Sequence, residues 1–175
     1  MKIRFATLFI ALLLYFIPAT DAFAQSEYVL PYPGVMPGNR LYKVSQVVDY
    51  FQGWWSFGNL SSFTYHLSMA DKKLVEAQTL FSYKQYFLGF QALQQSDIHF
   101  TKAQDHLTRA ENEGKNILEK RGVLRNASVV HIKTLAMMER NVPETFVWRP
   151  EKEEAVTLQL KALIQEAVDQ RKQGL

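Results

Sequence analysis

Between Phe63 and Phe81 the apolar residues Phe63, Leu67, Ala70, Leu74, Ala77 and Phe81 recur at steps of 4-3-4-3-4. Side chains three and four apart share one face of an α-helix, whereas a strand repeats every two residues, so this run predicts a bundle helix. The stretch from about Lys84 to Gly114 carries the same signal in another form. Tyr86, Leu93, Phe100 and Leu107 stand seven apart, and Gly89, Ser96, Ala103 and Ala110 come three places after each. Large residues alternating with small ones let a neighbouring helix approach closely and interdigitate. A short turn is expected near Ser82 to Lys84, although no Gly or Pro marks it.

The flanking segments extend this pattern. Asn39 can cap a first helix, in which Leu41, Val44, Val48, Phe51 and Trp55 share one face and Val47, Tyr50, Trp54 and Phe57 adjoin it. Together they form a wide apolar face that ends at Gly58-Asn59. Ser61 or Ser62 is placed to cap the second helix, where Lys72 and Glu76 form an i,i+4 pair. A fourth helix, about Asn116 to Arg140, carries Ile117, Leu124, His131 and Met138 at steps of seven, with Leu135 between the last two, and Pro143 stops it. In VPETFVWRP, Phe146 and Trp148 are expected to plug the end of the bundle from an extended link. Pro150, followed by Glu151, Glu153 and Glu154 near a positive helix end, predicts the start of a fifth helix with the seam Val156, Leu160, Leu163 and Ala167, and the tail RKQGL is expected to fray. No period-two run is long enough for a sheet. The expected fold is all-α: an antiparallel bundle of four to five helices over residues 41–175, preceded by an extended Pro-rich leader.

The N-terminus reads as an address. Lys2 and Arg4 precede an apolar run from Phe5 to Ile17, too short for the ~20 residues that span a bilayer. Ala22-Phe23-Ala24 supplies small residues for a signal peptidase, so residues 1–24 are expected to be cleaved as a signal peptide; an uncleaved N-terminal anchor is the other reading. Residues 25–40 form the leader, in which Pro31, Pro33 and Pro37 favour extended backbone. Its apolar members are expected to cover part of the core, the alternative being a polyproline ligand for a partner domain. Without cysteine, disulfides, thiolate metal sites and thiol catalysis are excluded, and an exported domain must hold together by packing. Twenty Lys and Arg against 17 Asp and Glu, interspersed along the chain, give no basic stripe for nucleic acid.

The run YVLPYPGVMPGNRLYKV, followed by YHLSMADKKLVEAQTL, resembles a bacterial family of exported helical domains with no known function. A Leu-Pro or Met-Pro leader, a Pro-x-Leu-Tyr-like helix start and an "lxLAdkrLxEA" helix are the family's motifs. Gly38-Asn39-Arg40 here replaces a second proline. The resemblance covers about Tyr28 to Ala110 and implies an exported helical fold in an envelope setting; it brings no catalytic residue.

Chemistry-bearing residues are few. His99 and His106 share a helix face about 10 Å apart along the axis, too far to chelate one ion unaided. His66 stands apart in sequence, and His131 occupies a seam position from which a bundle could ligate haem or copper, although a core histidine is the commoner use. Glu111 and Glu113, like Glu151, Glu153 and Glu154, lie in polar stretches at helix ends, and no phosphate loop or nucleophile elbow occurs. No residue is therefore assigned a catalytic, cofactor or metal role. The expectation is a non-enzymatic, exported, cell-envelope interaction or structural module, with another envelope protein as partner and no transmembrane segment after cleavage. A periplasmic or surface bundle binding a small ligand, haem or a metal is the alternative.

Overall fold

The computed structural model describes residues 28–37 and 39–175, so the expected signal peptide at 1–24, its expected cleavage site and the start of the leader lie outside the described residues. Five helices and one short hairpin follow in order: α1 Tyr42–Trp54, α2 Asn59–Ser82, α3 Tyr86–Asn112, α4 Leu118–Asn141, β1 Thr145–Trp148, β2 Val156–Gln159 and α5 Leu160–Lys172.

The two clearest seams in the sequence make the central hairpin. All six residues from Phe63 to Phe81 are buried in α2, and Gly89, Leu93, Ser96, Phe100, Ala103, Leu107 and Ala110 are buried in α3. Lys84, with φ at 58°, takes the left-handed turn that joins them, a conformation costing an ordinary residue roughly 1–2 kcal/mol. The helices run antiparallel, so Asn59 at the start of α2 meets His106 and Glu113 near the end of α3. At Gly89 the backbone approaches the Phe81 ring so closely that an added Cβ would stand 2.6 Å from it, which is why the small residue is needed there. The fold is the expected all-α antiparallel bundle.

Behind the hairpin, α4 and α5 complete two apolar clusters. One, nearer the α2–α3 turn, gathers Leu74, Leu80, Leu93, Leu135, Leu160 and Ile164. The other gathers Phe63, Leu67, Phe100, Leu107, Leu124 and Ala127. The leader lies on the bundle, as the apolar content of that stretch suggests: Leu30 and Met36 pack on the first cluster and Tyr28 on the second, while Tyr32 faces solvent.

Three details here depart from the sequence reading. The fifth helix begins at Leu160, ten residues after Pro150, because Val156–Gln159 instead pairs with Thr145–Trp148 as an antiparallel hairpin. Phe146 and Trp148 on β1 do pack on the first cluster, with Trp148 stacked on Phe87 at 4.0 Å between ring centres. Neither Ser61 nor Ser62 caps α2, which starts earlier behind Gly58 at φ 82°. Lys72 does not pair with Glu76: it reaches Asp49 on α1, and Glu76 instead pairs with Lys73.

Candidate functional site

The largest departure from a simple bundle is α1. Its inward stripe is Tyr42, Ser45, Asp49 and Gly53, spaced three and four apart, and it is polar. Tyr42 donates to Glu76 at 2.7 Å and accepts from Lys73 at 3.1 Å. Lys72 donates to both Asp49 carboxylate oxygens, at 2.6 and 2.8 Å, and to Ser45 Oγ. The Tyr65 hydroxyl donates to the Asp49 carbonyl, and its ring lies where a Cβ on Gly53 would have to go. These bonds hold α1 on α2 by its polar side.

The apolar face therefore points outward. Leu41, Val44, Val48, Phe51 and Trp55 are 57–74% exposed, and Val47, Tyr50, Trp54 and Phe57 are 54–76% exposed. Side chains of these sizes leave roughly 1,000 Å² open, about twice the largest apolar patch of an ordinary monomer. In α1 itself no residue is buried. The periodicity of this helix is legible in the sequence; the side that meets the bundle is not, because a wide apolar face ordinarily turns inward.

A second feature crosses the bundle at one level. Between the two apolar clusters each helix from α2 to α5 contributes a buried polar residue: Asp71 from α2, Ser96 from α3, Ser128 and His131 from α4, and Arg171 from α5. His131 Nε2 and Asp71 Oδ1 are 2.7 Å apart, so the neutral ring donates there, and Tyr28 of the leader donates to the other carboxylate oxygen at 2.5 Å. Burial holds the His131 pKa below its ordinary value despite Asp71, and Nδ1 is left without a partner as a bare lone pair. Arg171 donates to Asp97, to Ser96 Oγ at 2.9 Å and to Gln170 at 2.7 Å, and lies 4.7 Å above the Phe100 ring centre. Burial pushes Asp97 up to about 6 against the pull of Arg171, and holds Arg171 below its usual range. Far from fraying, the C-terminal RKQGL thus supplies a core residue. Leu160, Ile164, Ala167 and Arg171 continue one 4-3-4 seam, and an arginine at its last position is the signal that marks this layer in the sequence.

The remaining histidines meet at the α2–α3 surface. His66 and His99 share a hydrogen between their Nδ1 atoms at 2.9 Å, while His106 stacks on His66 at 5.4 Å and pairs through Nδ1 with Asn59. The sequence separates His66 from His99 by a turn and two helix segments, so their meeting depends on the register of the hairpin. Burial first, then the neighbouring His99, His106 and Lys102, lowers His66 to about 4. Burial, Lys102 and Lys73 lower His99 to about 4. Among the described residues no group of three or more His, Asp or Glu is placed to hold a metal ion. The acidic pairs considered above are exposed: Glu111 bonds Arg121 and Glu113 bonds Lys115. Glu151, Glu153 and Glu154 lie in the loop between the strands.

These histidines make stability pH-dependent. Above pH 6.5 both are neutral folded and unfolded; below it the unfolded chain protonates first, and the folded state follows only near pH 4, so stability falls through that window. His131 acts in the same direction. Asp97 opposes them, since its folded carboxyl takes up a proton near pH 6 and its unfolded one near 3.8. Burial lowers His106 as well, so with four histidines against the one raised carboxyl the melting temperature is expected to drop by several degrees between pH 7 and 4.5, at about 2–4 °C per kcal/mol. In His66→Gln/His99→Gln the same thermal scan should show a clearly shallower slope.

No protein-family model matches the chain, and no curated protein or solved structure matches it. Among the described residues no helix is long and apolar enough to cross a membrane.

Proposed function

We propose that this chain is an exported, non-enzymatic interaction module of the cell envelope, and that α1 is its docking element. One observation carries the reading: α1 spends its polar stripe on the bundle and presents its aromatic face to the outside. Leaving so much apolar surface in water is unfavourable by about 25 cal/mol per Å², a cost that a partner removes. The titratable clusters support no reaction. Within the Asp71–His131 pair the imidazole is fully buried, and Tyr28 occupies the outer oxygen of Asp71. Export rests on the signal-like N-terminus and on the resemblance of the leader and α2 to exported helical domains. Another envelope protein, the partner expected from the sequence, would have to offer apolar surface and, opposite Arg40 and Lys43, negative charge.

Oxidative footprinting tests the reading. In the purified protein Trp54, Trp55 and the exposed Met137 should all oxidise; in intact envelopes of the producing cell the two tryptophans should be shielded and Met137 not. Equal oxidation of all three in both settings would refute a docking role for α1.

A metal-binding bundle is a second reading, favoured by the convergence of His66 Nδ1 and His99 Nδ1 rather than by His131, which commits Nε2 to Asp71. Zinc or copper would then raise the melting temperature of the wild type and not of His99→Ala.

A further inference from the structure

The outward face of α1 is wider than a single helix partner would cover. At 100° per residue, the outward side chains from Tyr50 round to Leu41 cover about 180° of the helix. A neighbouring helix covers a stripe nearer 100° wide, and a coiled-coil seam is narrower still. Half a cylinder of apolar surface suits immersion in a plane. The side chains are also of the kind that settle at a bilayer interface: Tyr50, Trp54 and Trp55 carry an apolar body with a polar tip, and such rings concentrate at headgroup depth.

Charge points the same way. Arg40 and Lys43 stand at the N-terminal end of this face, within and beside the apolar arc. Between Tyr28 and Ala70 the single acidic residue is Asp49, which faces inward and is paired with Lys72. A face with basic residues, interfacial aromatics and no outward carboxylate is complementary to a surface of negative charge over hydrocarbon.

We infer that α1 lies in the plane of an anionic phospholipid surface, its apolar half sunk to headgroup and upper acyl depth and the bundle held above it by the polar stripe. The inference rests on α1 being the docking element proposed above. No helix need span the bilayer, and the bundle need not unfold, because the face is already formed and turned outward.

The test uses the exported, purified protein with vesicles of phosphatidylcholine alone or mixed with phosphatidylglycerol. Variants share the same N-terminus, so differences among them report on α1. Wild-type protein is expected to float with the mixed vesicles, with a blue shift of tryptophan emission, and to bind neutral vesicles more weakly. Val48→Ser/Phe51→Ser removes two exposed side chains; it should keep the wild-type circular dichroism and lose most of the binding. Arg40→Gln/Lys43→Gln should bind mixed vesicles roughly 10–30-fold more weakly, each basic residue near an anionic surface being worth about fivefold. Equal vesicle binding by wild type and Val48→Ser/Phe51→Ser, or no vesicle binding by either, overturns the lipid inference. Sedimentation of the lipid-free proteins separates that failure from failure of the docking reading. A wild-type dimer that this double variant splits, without vesicle binding, would replace lipid with a second copy and leave α1 as the docking element. Absence of vesicle binding together with unshielded Trp54 and Trp55 in envelopes would remove both.

Discussion

Asp97→Ala is expected to destabilise the fold by about 3–5 kcal/mol, read as a lower urea midpoint with an unchanged slope. Arg171 is fully buried, and Asp97 is its one carboxylate partner among the described residues. Removing the carboxylate leaves a buried guanidinium charge with the neutral partners Ser96, Gln170 and the Ala167 carbonyl and the Phe100 ring around it. Burial raises Asp97 and lowers Arg171 in spite of their attraction, so the pair is held at a cost in desolvation and the loss comes from breaking it, not from the worth of having one. Replacing both members, in Asp97→Leu/Arg171→Met, should therefore recover most of the loss. If the single variant unfolds at the wild-type midpoint, Arg171 is hydrated and the buried layer is wrongly described.

Phe100→Ala should cost about as much, roughly 3–5 kcal/mol, through a different mechanism. Its side chain is completely buried in the second apolar cluster, touches the His131 ring at 5.5 Å between centres and supports the Arg171 guanidinium from below. Truncation removes apolar contact, opens a cavity and takes away a cation–π partner worth about 0.5–2 kcal/mol. Phe100→Leu keeps most of the volume and loses the ring, so it should fall between wild type and alanine. Urea unfolding of the two variants side by side measures the share due to the ring; a leucine variant as unstable as alanine would mean that volume matters little at this site.

How far the sequence carries depends on whether a feature is local. The α2 and α3 seams are, since helical spacing alone decides which residues share a face, and Phe63 to Phe81 and Leu93 to Ala110 are buried as their spacing implies. The hairpin at Thr145–Trp148 and Val156–Gln159 was not legible, because four-residue strands give too short an alternation and Pro150 with three glutamates imitates a helix start. The candidate sites are non-local. His66 and His99 meet only once the hairpin register is set, and the Asp71, Ser96, His131 and Arg171 layer needs four helices at one height. For α1 the pattern was visible and its sense was not: amphipathicity says that two faces differ, and the bonds from Lys72, Lys73 and Tyr65 decide which one meets the bundle.

The outward sense of α1 is the claim on which the functional account stands, and tryptophan exposure tests it most directly. Trp148→Phe leaves Trp54 and Trp55, 67% and 74% exposed, as the only tryptophans in the chain. In dilute, lipid-free, monomeric protein their emission should sit at the red position of hydrated indole, and acrylamide should quench it nearly as well as free tryptophan. A blue-shifted, protected emission under those conditions would mean that α1 turns its aromatic face onto its own bundle, and would contradict the account.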